Sequence, residues 1–401
     1  FRGFLRFPDR ICEQRVLLQG PIASLGHSVA LFSGGPLRSP LVLSSRLTFS
    51  QTDTDLVGAR EIAPSVANGS PHRLLRNQGT LNVQLAGPVA RSVGGQLLAG
   101  VDLQGVSTQS ARFLSQEFNR VYGGAYVLPS IEAFSGLRLY AGGRMEFAFF
   151  GQPLLSPTAS AVYQLSGAHS VRATASSAAR SPNLYELGLD FPFVEDSSAG
   201  KRGYYYGNPD LRAERLSQAE LSYRLTLARV EAGTSVFYSE LSDQIELFEV
   251  TAARVASQNL QTRASNTLGA AFDPMLPFLE YHNQATLDTL GAEVFLSVRP
   301  WESLTLLGSY TLLAGRVTVT SDPAVVARRQ SAAARNAPAH KVSLGAAWVL
   351  DRSPLRGASV SVFWDWSDTT SAFVSGVLKT IDPWSILSAR VSIPLPRRVG
   401  E

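Results

Sequence analysis

Apolar and polar residues alternate with period two through segments of about ten residues, the length a tilted strand needs to cross a bilayer. Val342, Leu344, Ala346, Trp348 and Leu350 share one face, and Ser343, Gly345 and Ala347 share the other. Ala358, Val360, Val362, Trp364 and Trp366 oppose Ser359, Ser361, Phe363 and Asp365. Ala292, Val294, Leu296 and Val298 oppose Glu293, Ser297 and Arg299, while Leu137, Leu139, Ala141 and Met145 oppose Arg138, Tyr140, Arg144 and Glu146. Leu81, Val83 and Leu85, then Leu97, Ala99, Val101 and Leu103, repeat the pattern. A helix would scatter Arg138, Arg144 and Glu146 around its circumference; a strand collects them on one side.

The connections alternate in length. Short ones are expected near Ser33–Pro40, Pro88–Gly95, Ser166–His169, Leu227–Arg229, Arg299–Ser303 and Asp351–Arg356. Long ones are expected near Gln51–Gly79, Leu184–Ala213, Asp243–Asp288 and Ala314–Ala339. Short turns on one side and long loops on the other describe an outer-membrane barrel, with the long loops outside the cell. Trp301 and Trp348 fall near the short turns, and Trp364, Trp366 and Trp384 near the long loops, as two interfacial girdles require. The expected fold is therefore all-β, a large antiparallel transmembrane β-barrel. About fifteen strands are expected, with room for a sixteenth before residue 25, which makes a wall too wide for side chains alone to fill.

Composition narrows the class. Of 401 residues, 45% are hydrophobic and only 17% charged, below the roughly 25% charged of a soluble domain. Yet no stretch approaches the ~18 apolar residues of a membrane helix. The formal charge is +4 and Arg is scattered, so nucleic acid is not an expected partner. A single cysteine, Cys12, allows neither an internal disulfide nor a cysteine metal site. No phosphate loop, H-E-x-x-H or G-x-S-x-G is present, so no enzyme chemistry, cofactor or metal is expected.

The stretch from Gly136 to Glu246 is the most informative. It holds Leu155-Ser-Pro-Thr-Ala-Ser-Ala-Val-Tyr, then Arg180-Ser-Pro182-Asn-Leu184-Tyr-Glu186-Leu, then Gly207-Asn208-Pro209-Asp210-Leu211-Arg-Ala-Glu214. Asn283 to Glu293 and Asn336-Ala-Pro338-Ala-His340 follow. In this order the runs resemble the barrel of TonB-dependent outer-membrane receptors over about residues 80–396. Ala213, where proline is usual, and Ser176-Ser-Ala-Ala, where a more aromatic strand end is usual, depart from the pattern. The resemblance implies about twenty-two strands when complete and a globular plug that contacts TonB. On that expectation residues 1–401 are a partial barrel, with the plug and the last strands outside the sequence and two strand edges left unpaired.

Physical chemistry gives these residues local roles. Pro182 cannot donate to a strand ladder and suits a strand exit, where Arg180 and Glu186 are placed to pair. Gly207 to Leu211 supply turn geometry before a strand resumes. Asp102, Arg144, Glu146, Arg172, Glu220, Arg224, Glu231 and Glu293 are expected to face the lumen, because lipid excludes them. His340 is expected at the interface. Lys201 and Arg202, just before Tyr204, Tyr205 and Tyr206, form a candidate ligand loop offering charge and aromatic faces. Asp190, Glu195 and Asp196 offset that charge locally. His72 and His282 are expected in long loops without a haem motif. The resemblance implies active uptake of a scarce ligand across the bacterial outer membrane, driven through TonB. A ferric siderophore is the first choice of ligand. A passive porin is the alternative, and a surface adhesin or barrel enzyme a third.

Overall fold

The alternating segments form strands in the computed structural model, which describes residues 22–30, 42–55, 73–90, 94–109, 118–147, 153–196, 201–257, 259, 278–319, 337–350, 357–374 and 377–393. In chain order these are β1 (Ile22–Ala30), β2 (Val42–Asp55), β3 (Arg73–Ala90), β4 (Gly95–Gln109), β5 (Phe118–Phe134), β6 (Leu137–Phe147), β7 (Pro153–Gln164) and β8 (His169–Arg180). A one-turn helix, α1 (Leu184–Gly188), precedes β9 (Asp190–Asp196), β10 (Lys201–Tyr206), β11 (Glu214–Thr226) and β12 (Val230–Glu249). Then come α2 (Ala252–Ser257), β13 (Phe278–Trp301), β14 (Leu304–Val319), β15 (His340–Val349), β16 (Ser359–Ser367), β17 (Thr370–Val374), β18 (Val377–Ile381) and β19 (Trp384–Ser392).

The wall is one antiparallel meander. Each strand from β1 to β8 pairs with the next, β8 pairs with β11, and β11 to β16 continue in order to β19. That makes fifteen strands in the wall among the described residues, the number the alternation predicts. Among the described residues, β1 and β19 each pair with one neighbour. The hairpins β9–β10 and β17–β18 lie outside the meander, on the long-loop side.

Register fixes the two faces. Arg172, Ser222, Ser235, Glu293 and Thr311 are successive partners across five strands and form an inner row. One residue along, Ala173, Leu221, Val236, Ala292 and Leu312 form the outer row. Leu221 is 59% exposed and Val294 50%, which a water-facing surface would rarely sustain across a whole wall. On β13 the outward positions read Leu290, Ala292, Val294, Leu296 and Val298. Asp288 stands above them and accepts a hydrogen bond from Tyr238 Oη at 2.7 Å. The apolar band therefore spans about ten residues, the depth of a hydrocarbon core crossed by a tilted strand.

Interfacial side chains mark both rims of the band. His169 Nδ1 lies 2.6 Å from Tyr223 Oη on the short-turn side, and His340 Nδ1 lies 2.7 Å from Tyr310 Oη on the long-loop side. His340 thus stands at the long-loop rim of the band. Trp301 and Trp348 sit at the short-turn ends of their strands, and Trp366 and Trp384 flank the opposite loop. On the inner face, large rings from one strand cover glycines on the next. A Cβ on Gly291 would meet the Phe237 ring at 2.2 Å, and one on Gly345 would meet Phe363 at 2.6 Å, so neither position tolerates a side chain without displacing a ring.

The expected loop boundaries need correction. The strands run on past the bilayer: β2 reaches Asp55 and β3 starts at Arg73, β12 reaches Glu249 and β13 starts at Phe278, and β14 reaches Val319. In these extensions alternation fails as a signal because lipid no longer bounds one face. Phe278, Leu279, Glu280, His282, Gln284 and Ala285 of β13 are buried regardless of parity. His282 accordingly lies in a strand and not in a loop. Leu184–Ala213 also has structure of its own, α1 and the β9–β10 hairpin.

Val294 points to lipid and Ser297 to the lumen. Val294→Arg should cost about 2–4 kcal/mol of insertion free energy at mid-bilayer, whereas Ser297→Arg should be near neutral. Folding yields of the protein in lipid vesicles measure both, and equal damage from the two would contradict the register.

Candidate functional site

The first motif folds into an ionic junction where β8 leaves the sheet. Arg180 donates to both carboxylate oxygens of Glu186, each at 2.9 Å, and through Nε to Glu214 at 2.5 Å. Pro182 ends the ladder, and Asn183 caps α1 by accepting from the backbone N–H groups of Tyr185 and Glu186. Glu186 closes the capping box by accepting from Asn183 N at 2.7 Å. Glu186 and Glu214 are buried, so the guanidinium between them offsets two desolvated carboxylates.

The second motif is fastened to the first. Gly207 N donates to Leu189 O and Asn208 N to Glu186 O, at 2.7 and 2.8 Å. A Cβ on Gly207 would come within 2.4 Å of Gly188 N, so only glycine fits this crossing. Asn208 accepts from Asp210 N at 2.9 Å, forming the turn that also carries Pro209, and donates to Tyr281 O at 2.9 Å. Leu211 packs with Leu187 and Ile245. Glu214 opens β11, and its second oxygen accepts from Ile245 N at 2.6 Å. That bond sits beside a bulge in β12 where Asp243 takes φ 53°. Asn283 repairs the ladder there, accepting from Arg212 N and donating to Arg212 O and Asp243 O. The two motifs are thus one rigid knot above the membrane. In the third motif, Pro338 precedes β15, and Asn336 lies outside the described residues.

The tyrosine run is a correction to the ligand-loop expectation. Tyr204 is 0% exposed and Tyr206 4%; they pack with Val250 and Phe278, and β10 lies parallel to the start of β13. Tyr204 Oη donates to Asp190. Two of the three rings therefore form the core of the loop assembly and offer no face to a ligand, while Tyr205 is half-buried. Lys201 and Arg202 belong to β10, paired with β9. The same assembly is pinned from α2, where Arg254 donates to both oxygens of Glu280 at 3.0 and 2.9 Å. His282 Nε2 lies 2.9 Å from the same carboxylate. Burial pushes the Glu280 carboxyl up, but the hydrogen bonds with His282 and Arg254 outweigh it and hold it below its ordinary value.

Below this roof, a cleft of about 340 Å³ opens into the long-loop end of the lumen. Its walls are the inner faces of β3 to β6 and the turn into α1, and they include Arg76, Tyr122, Arg144, Arg180 and Tyr185. Arg144 holds Asp102 in a two-pronged pair at 2.5 and 3.0 Å, with Glu146 at 4.0 Å. Arg76 bonds the Gln78 amide oxygen at 3.1 Å and has no carboxylate in reach among the described residues. Thr108 Oγ1 and Ser181 Oγ are buried in the wall without a hydrogen-bond partner in the structure. Alternation places Asp102, Arg144 and Glu146 in the lumen but not Arg76, because the expected loop runs to Gly79 whereas β3 starts at Arg73. Thr108 and Ser181 carry no sequence signal.

A strand wall with a lipid-depth outer band, a polar lumen and an elaborated outer rim defines an outer-membrane barrel protein. The family model described as TonB dependent receptor-like, beta-barrel matches residues 32–399, and the chain belongs to that family. An iron-regulated outer membrane virulence protein of Vibrio cholerae serotype O1 is 33% identical over 176 residues, 43% of this chain and 24% of that protein. The siderophore receptor PirA from Acinetobacter baumannii matches with TM-score 0.67 at 13% identity, over 95% of this chain and 57% of its own. The ferric enterobactin receptor PfeA from Pseudomonas aeruginosa, in its Q482A form with enterobactin, matches with TM-score 0.69 at 12% identity, over 96% of this chain and 56% of its own. The chain thus spans a little over half of these solved structures. The family is one of transporters and receptors of the bacterial outer membrane, not of enzymes.

Removing the shared cation tests the knot. Arg180→Met should destabilise the loop assembly by about 2–3 kcal/mol, because two buried carboxylates lose their partner. Hydrogen exchange of α1 and residues 207–214 in the full-length receptor should rise by one to two orders of magnitude with the bilayer-embedded strands unchanged. Unaltered exchange there would contradict the assignment.

Proposed function

We propose that this wall belongs to an active transporter that takes up a ferric siderophore from outside the cell, with the lumen cleft beside α1 as the barrel's share of the ligand site. The observation that carries the proposal is the cleft itself. It is a concave, partly enclosed space at the outer mouth, where guanidinium, phenol and hydroxyl groups converge on an oxygen-rich ligand. Family membership and the iron-regulated relative support iron as the cargo. The buried Tyr204 and Tyr206 move the expected contact from the loop surface down to the cleft. TonB, reached through a plug, is the partner that supplies energy in this proposal, and outer-membrane lipid is the solvent of the outer face.

The alternative, a passive porin, makes a different prediction for energy dependence. Uptake of radioactive iron, presented as a panel of ferric siderophores, should fall at least tenfold when the receptor gene is deleted from an iron-limited host. It should fall equally when the proton-motive force is collapsed. Uptake that survives loss of the proton gradient but not loss of the gene would make the barrel a passive channel. No response to deletion with any siderophore would remove iron as the cargo.

A further inference from the structure

Most of the charges in the cleft are already matched. Arg144 is neutralised by Asp102, with Glu146 beside it. Arg180 is shared by Glu186 and Glu214. Arg120, which precedes Tyr122 on the same inner face of β5, is partnered too. Of the three guanidinium groups lining the space, Arg76 is the one without a carboxylate among the described residues, and it donates to the neutral Gln78 amide. Neutral donors complete the wall. Thr108 is 3% exposed, yet its hydroxyl has no partner in the structure, and the Ser181 hydroxyl beside Pro182 is in the same state. A buried, unsatisfied hydroxyl costs free energy until a ligand or water completes it, so these two groups mark where an acceptor docks.

From this we propose, resting on the siderophore reading above, that the cleft selects a ferric complex of little or no net charge whose surface presents hydrogen-bond acceptors, and that a ferric trihydroxamate is favoured over a ferric tris-catecholate. The chemistry separates the two classes. Three hydroxamates each lose one proton and together neutralise Fe(III), leaving an uncharged complex that presents carbonyl-derived and N–O oxygens. Three catecholates each lose two protons and leave a complex of charge 3−. Seated in this cleft, the trianion meets one uncommitted guanidinium, and the desolvation of its remaining charge goes uncompensated. It also approaches Glu146, which shares Arg144 with Asp102 and leaves a negative charge on the wall. The neutral complex needs donors rather than cations. Arg76, Thr108 and Ser181 supply them, and the Tyr122 and Tyr185 rings bound the space.

Direct binding to the full-length receptor tests the proposal. A ferric trihydroxamate and a ferric tris-catecholate of similar size are compared by intrinsic tryptophan quenching at low and physiological salt. The trihydroxamate should bind at least about tenfold more tightly, with little salt dependence. Tris-catecholate binding as tight or tighter would overturn the charge argument while leaving siderophore uptake intact. Binding of neither would overturn both. Two variants probe the cause. Asp102→Asn frees the Arg144 charge and should move the preference toward the tris-catecholate by about tenfold, a shift that simple loss of folding cannot produce. Thr108→Val, nearly isosteric, should weaken the trihydroxamate several-fold with barrel assembly unchanged. A preference unmoved by Asp102→Asn, together with unchanged affinity in Thr108→Val, would also overturn the proposal.

Discussion

Lipid offers no hydrogen bonds, so every backbone N–H and C=O at bilayer depth must find its partner within the protein. The ladder from β1 to β19 meets that requirement for the strands between its two edges, β1 and β19, each of which pairs on one side among the described residues, and the rest of the structure is arranged around it. Because pairing is antiparallel and in register, each strand presents alternate side chains to lipid and to the lumen. The outer row Leu221, Val236, Ala292, Leu312 and the inner row Arg172, Ser222, Ser235, Glu293, Thr311 are one residue apart on the same strands. A slip of one residue would move a row of charges into hydrocarbon. The wall is therefore held in place by solvent exclusion on one face and charge on the other, with little conventional core among the described residues, most of whose buried side chains cluster above the membrane.

That clustering explains how a site is positioned on a wall without an interior. Above the bilayer the strands β12 and β13 run on, and loops fold over them. Arg180, Glu186 and Glu214 lock α1 to the start of β11, Asn208 and Asn283 tie the turn to β13, and Arg254 with Glu280 pins α2. These bonds hold Tyr185, Ser181 and Arg180 against the inner wall, where they meet Arg76, Tyr122 and Thr108. The knot thus acts as the roof of the cleft. The two functions of the rim, structural closure and ligand contact, fall on adjacent residues of the same motif.

The wall was legible in the sequence because the bilayer imposes a strict period on it. Val294 against Ser297, and Leu344 against Ser343, declare their faces without any knowledge of neighbours. Charged residues such as Asp102 and Arg144 could be placed in the lumen for the same reason. The Arg180–Glu186 pairing was also foreseeable, since Pro182 marks a strand exit and the two charges flank it. The strand extensions were not legible. Most of Phe278 to Ala285 is buried regardless of parity, so the segment reads as aperiodic and nothing in it separates His282 from a loop residue. The tyrosine run failed for a related reason: a cluster of rings on a loop is equally a contact surface or a small core, and Phe278 and Val250, distant in sequence, decide it. The cleft needed the fold, because Arg76, Thr108 and Ser181 come from three segments that only register brings together.

The wall depends on one alternation through one depth of membrane. Spin labels placed singly at positions 289 to 298 of β13, in the full-length receptor with Cys12 replaced, report it directly through accessibility to oxygen and to a polar nickel chelate. Oxygen-favoured accessibility is expected at 290, 292, 294, 296 and 298, with the opposite preference at the positions between them. Accessibility without a period of two, or with its phase reversed, would contradict it.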